Sequence, residues 1–158
     1  MATDSLRQRD LESMFFTGTV STQNPNAGTV TVYRDDKETT ASDLFVLQRG
    51  CASSKDYWLP AVGDKVLCIQ TPNFGGKGAG EGYVLGSYYN DTDTTPSGAS
   101  ASTRVLNHPG DVILNVGGTF SVHAGTLDIT GGGDVVASGR SLVGHTHTGV
   151  HGETSPAH

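Results

Sequence analysis

The sequence predicts an all-β protein built from two kinds of β-structure. Its apolar residues recur in short alternating runs separated by turn residues, a pattern typical of strands. Glycine accounts for 22 of the 158 residues, about twice its usual share. The first part predicts a small barrel. The last third has shorter apolar runs separated by glycines, a pattern that predicts a β-repeat. A histidine-rich end follows this repeat.

Five candidate strands follow a polar, helix-compatible N-terminal arm of residues 1–14. They are short, rich in β-branched residues and separated by turn signals. Cys68 is predicted to be a small buried residue of the fourth strand. Five such strands in about 75 residues predict a closed barrel of the OB type over residues 15–90. The candidates are residues 16–21, 29–33, 44–47, 65–70 and 82–88.

The composition after the barrel changes twice. Residues 91–104 contain no large apolar side chain, which predicts a linker that cannot pack a core. In residues 105–143, β-type runs repeat about every 7 to 8 residues with glycine between them. Their apolar residues mark one face of an extended chain: Val112, Leu114, Val116, Phe120, Val122, Leu127, Ile129 and Val135.

This apolar face has no partner within one chain. A single-chain β-helix needs about 20 residues per coil and at least three coils, more than residues 105–143 provide. Three chains winding around a common axis would cover the face with copies of itself. We therefore expect a short intertwined trimeric β-helix and a homotrimeric protein.

The end of the chain, residues 144–158, carries a His-X-His pair. Alternate residues of an extended strand point to the same side, so His145 and His147 can present two imidazoles to one point. Neutral imidazole is the commonest protein metal ligand. Three chains would supply six nitrogens in an octahedral shell, which suits ferrous iron better than four-coordinate zinc. The pair therefore predicts a metal-binding tip.

Other interpretations of the histidines stay open. A His-rich end is also typical of a solvated terminus, although a purification tag does not fit because other residues separate the histidines. A metal-dependent hydrolase degrading envelope polymers would use His145, His147 and His151 as zinc ligands and Glu153 as base. However, the sequence shows no His-Glu-X-X-His motif and no nucleophile–base pair, so we expect no enzyme.

The charge balance argues against nucleic acid as a partner. The formal net charge is −6, whereas nucleic-acid binders normally carry a basic patch. An OB-type nucleic-acid module with a metal-buffering tail is therefore the weaker alternative. The glycine-rich residues 75–80 match no phosphate-loop pattern and predict a flexible loop. Neither a signal peptide nor a transmembrane segment is expected, which predicts synthesis in the cytosol.

Several motifs together resemble a known family, the baseplate assembly protein V family. Its members are the central tail spikes of contractile-tail phages, tailocins and related injection machines. The motifs cover most of the chain beyond residue 15, and the His-X-His end after a glycine-rich β-repeat is the most specific of them. They are Gly18-Thr-Val-Ser21, Tyr57-Trp-Leu-Pro-Ala-Val-Gly-Asp-Lys-Val-Leu67, Gly82-Tyr-Val-Leu-Gly-Ser87, Tyr89-Asn-Asp91 and Gly144-His-Thr-His-Thr-Gly-Val150.

The resemblance implies a structural, non-enzymatic role. In that family the barrel is a trimeric hub, the β-helix tapers to a needle, and histidine pairs from three chains hold one iron ion per trimer. This implies that His145 and His147 are the ligands, while His151 and His158 fall outside the matched pair.

The resemblance also implies a location and partners. The protein would be assembled in the bacterial cytoplasm and reside in the baseplate of a virion, tailocin or injection system. Its partners would be baseplate hub and tail tube proteins and, by mechanical contact, the envelope of the target cell. An additional tip or effector protein stays open.

Overall fold

The computed structural model describes residues 13–73, 78–131, 133–142, 144, 146, 148–149 and 152–153. The chain divides into two compact units, residues 1–109 and residues 110–158. Within these residues the structure contains nine β-strands, so the predicted all-β class is confirmed there. Within the described residues, no helix is long and apolar enough to cross a membrane.

The first unit contains all five predicted strands. Each strand is longer than predicted because flanking residues still pair with neighbouring strands, although β3 and β5 end one residue before their predicted ends. The strands are β1 (Phe15–Asn24), β2 (Thr29–Arg34), β3 (Thr40–Val46), β4 (Lys65–Pro72) and β5 (Ala79–Ser87).

These five strands close into a barrel in the order β1-β2-β3-β5-β4, with β4 pairing back onto β1. All neighbours are antiparallel except β3 and β5, which run parallel where Phe45 pairs with Tyr83 and Val46 with Val84. The predicted closed barrel is confirmed, and its architecture is compatible with the OB type. Because the barrel is closed, its strands present few unpaired edges to other chains.

The barrel core consists mostly of alternate residues of the strands, as the period of two requires, with interruptions where β2 and β3 change register. Val32, Leu44, Val66 and Val84 are fully buried, and burial of such a side chain stabilises a fold by about 1.5–3 kcal/mol. Cys68 lies among them, as predicted, and this burial raises the pKa of its thiol to about 12. The core therefore holds its single thiol in the protonated, unreactive form.

A buried arginine joins the core to the surface. Arg34 lies with its guanidinium 3.8 Å from the centre of the Phe16 ring, a cation–π contact. Its Nε and Nη2 donate to the two carboxylate oxygens of Asp36 at 2.9 and 2.8 Å. This bidentate pair supplies the charge compensation that a buried guanidinium needs, and the hydrogen bond from Arg34 lowers the pKa of Asp36.

The long β3–β4 loop is fixed to the barrel by side-chain amides. The amide of Gln48 donates to the carbonyl of Trp58 at 2.9 Å and accepts from its backbone N–H at 3.0 Å. The indole N–H of Trp58 donates to the carbonyl of Leu47 at 3.2 Å. Gln23 donates to the carbonyl of Pro60 at 2.7 Å. These bonds hold Trp58 against the barrel.

Hydrogen-bonded turns follow the barrel. Asn90 accepts from the backbone N–H groups of Thr92 and Asp93 at 2.8 and 2.9 Å. A second turn joins Pro96 and Ala99, and a third lies over residues 100–103. Residues 91–104 are exposed except for the partly covered Pro96, in keeping with a segment that builds no core.

The second unit contains two short hairpins. β6 (Val136–Ala137) pairs with β7 (Arg140–Ser141), and β8 (Thr148–Gly149) pairs with β9 (Gly152–Glu153). Ser138 and Gly139 between β6 and β7 both have positive φ, 52° and 76°, the signature of a type I′ turn. Residues 110–131 form no strand in the single chain. Strands that pair between chains form only when copies meet, so the trimeric β-helix stays a prediction.

Candidate functional site: the apolar segment and the histidine-rich end

The predicted apolar face lies uncovered in the second unit. Each of its first seven residues exposes about half or more of its surface, from 49% at Val116 to 68% at Leu114. Val135 is partly covered, in the hairpin where the N–H of Leu142 donates to its carbonyl at 2.8 Å. The seven exposed residues are Val112, Leu114, Val116, Phe120, Val122, Leu127 and Ile129.

So much exposed apolar surface is unusual for a monomer. Together the seven side chains expose on the order of 700 Å², whereas the largest apolar patch of a typical monomer is about 300–600 Å². Large exposed apolar surfaces mark protein–protein contacts. Residues 112–129 therefore carry an apolar face that the single chain leaves exposed.

The residues between these apolar positions are mostly polar. Asn115, Ser121, His123 and Asp128 alternate with the apolar side chains, as expected for strands with one covered face. Ile113 departs from this pattern, because it is apolar at an outward position and is 74% exposed.

Glycines separate the runs where the chain has to change direction. Gly117, Gly118 and Gly125 have open space where a Cβ would stand, so no clash within the chain explains them. Gly131 has a φ of +138°, which a residue with a side chain rarely adopts.

The predicted metal ligands His145 and His147 lie outside the described residues, as do His151 and His158. The residues around the pair are described in part. The N–H of Gly144 donates to the hydroxyl of Ser141 at 2.6 Å, Thr146 is exposed, and the β8–β9 hairpin follows. In the sequence, the pair lies between the two hairpins.

The donor chemistry of this end fits a borderline transition metal, since imidazole nitrogen suits iron and zinc. In the described part of the chain, no three His, Cys, Asp or Glu residues are grouped to hold a metal ion. Glu153, the candidate base of the hydrolase alternative, pairs with Thr148 in the β8–β9 hairpin. The remaining histidines, His108 and His123, are exposed.

The barrel carries a shallow recess of about 520 Å³, lined in part by Ser42, Asp43, Asn73 and Glu81. The Tyr83 hydroxyl donates to Glu81 Oε2 at 2.9 Å, and this bond to the carboxylate raises the pKa of the phenol. Asp43 has a φ of 57°, where β3 bulges. The recess carries the carboxylates of Asp43 and Glu81, and its lining also includes Phe45 and Gly82, the first residue of the Gly82–Ser87 motif.

The structure also shows a surface that sequence reasoning missed. Phe15, Leu67 and Leu85 point outward from the barrel and are 40–55% exposed. A signal was present, because Val66-Leu-Cys-Ile69 is apolar at consecutive positions, not alternate ones. In a barrel whose interior is filled by side chains, every second residue of such a run points outward and lies on the surface.

No protein-family model and no curated protein matches this chain.

Proposed function

We propose that this protein is the trimeric central spike of a contractile tail or injection system. The observation that carries the proposal is the uncovered apolar face of residues 112–129, followed in sequence, after the β6–β7 hairpin, by a two-histidine half-site. In one chain the apolar face is exposed and two histidines are too few to hold a metal ion. A threefold arrangement would cover the face and bring six histidines together. The order of features, a closed barrel followed by this segment, agrees with the motif resemblance.

The proposed action is mechanical. A contracting sheath drives the tube and its spike against the envelope of a target cell, and a narrow, stiff tip concentrates the force. An intertwined β-helix suits this task, because every strand pairs with neighbouring chains and few free edges remain to separate under load. The barrels form the hub that joins the spike to baseplate hub and tail tube proteins.

The metal has a structural role in this proposal. His145 and His147 of three chains would hold one ferrous ion, which ties together three chain ends that would otherwise fray. No step of the proposed action requires a catalytic group, so the protein is proposed to be a structural component of the assembled particle and not an enzyme.

Native mass spectrometry combined with elemental analysis tests the proposal. The expected result is a trimer with one iron per three chains. Replacing both His145 and His147 by alanine should remove the metal and leave the trimer. A His151→Ala variant is the matched control, from the same end of the chain, and should keep its iron.

Other results would identify other functions. A monomer with one zinc per chain that is lost in the His151→Ala variant would contradict the spike and favour the hydrolase. A monomer that binds single-stranded oligonucleotides at low salt would favour a nucleic-acid module.

A further inference from the structure

Four outward-pointing side chains form a continuous row across the barrel. Phe15 on β1 pairs with Ile69 on β4, Ile69 pairs with Tyr83 on β5, and Tyr83 pairs with Phe45 on β3. Directly paired residues of neighbouring strands lie on the same face of a sheet. The rings of Phe45 and Tyr83 confirm this, with centres 6.1 Å apart at 35°.

The row broadens into a patch on its β4 and β5 side. Leu67 lies two residues from Ile69, and Leu85 two residues from Tyr83, so both share the outer face. Phe15 is 55% exposed, Phe45 45%, and the two leucines 40% each. We call these six residues the barrel patch: Phe15, Phe45, Leu67, Ile69, Tyr83 and Leu85.

Charged residues border the barrel patch without belonging to it. Lys65 forms an ion pair with Asp35 at 3.1 Å, and the Glu81 carboxylate accepts from the Tyr83 hydroxyl at 2.9 Å. The carboxylates of Asp43 and Glu81 line a recess together with Phe45. The six residues of the patch itself are uncharged.

We propose that the barrel patch is the surface through which the three barrels of the trimer pack against each other. This inference rests on the proposed trimeric function. In a ring of three, contacts are head-to-tail, so the Phe15 end of one patch meets the Phe45 end of the patch on the next barrel. The two ends differ, as such a contact requires.

The small size of the patch favours contact with a barrel that the rest of the trimer already holds nearby. Its exposed area is on the order of 400 Å², about half of what one partner contributes to a stable interface. Only residues 88–111 separate β5 from the apolar face. A linker of that length keeps the barrels of a trimer at an effective concentration in the millimolar range, where a weak contact is occupied.

Disulfide cross-linking in the full chain tests the inference. Phe15→Cys and Phe45→Cys are combined in a Cys51→Ser background, which removes the exposed native thiol while Cys68 stays buried. β1 and β3 are not neighbours in the barrel, so the two new thiols cannot join within one chain. Mild oxidation should convert most chains into covalent dimers and trimers on a non-reducing denaturing gel.

The matched control pairs Phe15→Cys with Tyr33→Cys. Tyr33 lies on β2 outside the patch and is 43% exposed, close to the 45% of Phe45. The control should give no more cross-linked product than Phe15→Cys alone. A protein that is trimeric by native mass but forms no cross-link above this control overturns the inference and leaves the proposed function intact. A monomeric wild-type protein overturns both.

A second measurement does not depend on cysteine chemistry. In the full-length protein, Leu67→Asp should lower the melting temperature of the barrel by at least about 4 °C more than Tyr33→Asp does. Equal shifts for these two exposed positions would show that the patch is not covered, and would overturn the inference as well.

Discussion

At the scale of single residues, Gly18 lies at a position where the barrel has no room for a side chain. A Cβ there would collide with the carbonyl oxygen of Tyr33 and the side chain of Val32. Backbone cannot yield as a flexible side chain does, so Gly18→Ala should destabilise the barrel by about 1–3 kcal/mol. Gly86→Ala, where the added methyl meets open space, should change the unfolding free energy by less than about 0.5 kcal/mol. Urea denaturation of both variants makes the comparison, and equal losses would contradict it.

The two cysteines should differ in reactivity. Cys51 is exposed, whereas burial raises the pKa of Cys68 to about 12, and only a thiolate attacks a disulfide reagent. One thiol per chain should therefore react with Ellman's reagent at pH 8 in the native protein, and two in denaturant. Cys51→Ser should abolish the native reaction. A second fast thiol in the native protein would show that the barrel core opens readily.

Asp36 should contribute a pH-dependent part of the stability. The hydrogen bond from Arg34 lowers the pKa of Asp36 in the folded state. This stabilisation is therefore fully present above the unfolded value of about 3.9 and is lost as the pH falls through the lower folded value. Melting temperatures measured from pH 7 down to pH 2.5 should fall more steeply for the wild type than for Asp36→Asn. Parallel curves would show that the ion pair does not stabilise the fold.

At the scale of elements, the apolar segment allows a test between two adjacent residues. Ile113 and Leu114 are similar in size and are 74% and 68% exposed in the single chain, but only Leu114 belongs to the predicted covered face. Leu114→Asp should dissociate the trimer or weaken it by several kcal/mol, because it would bury a charge in each chain. Ile113→Asp should leave the trimer intact. Sedimentation of both variants at micromolar concentration measures this, and identical behaviour would contradict the assigned face.

The elements also show why prediction from sequence succeeded in one half of the chain. The barrel strands alternate locally and end at turn residues such as Gly28 and Gly63, both at positive φ, so each strand could be found without its neighbours. The sequence pattern predicts β3 only from residue 44. At Asp43, where φ is 57°, the alternation of buried and exposed residues is interrupted. The chain nevertheless pairs from Thr40 onward.

Other features depend on pairing between segments that are distant in sequence. The barrel patch exists because register brings Phe15, Ile69, Tyr83 and Phe45 side by side, and no local pattern encodes that register. The apolar face of residues 112–129 was found from its spacing alone. The partner proposed for it is a copy of the same chain, which a single chain does not show. The His-X-His spacing likewise predicts only half of a metal site, because the other ligands are proposed to come from other chains.

At the scale of the whole molecule, the proposal separates two sources of stability. In the proposed trimer, apolar contacts along the axis and between barrels would hold the three chains together over most of their length. The proposed metal would tie only the last residues. An assembly built this way should lose its metal without losing its trimeric state, since burial of the apolar face does not involve His145 or His147.

Metal removal therefore distinguishes the two sources. After iron is extracted with a strong chelator under reducing conditions, native mass spectrometry should still find a trimer. Hydrogen exchange should increase only in peptides beyond Ser141, while peptides covering β4 and β5 keep their protection. The His145→Ala/His147→Ala variant should match the chelated wild type, and His151→Ala the untreated protein. Dissociation into monomers on chelation would mean that the metal, and not the apolar face, holds the spike together.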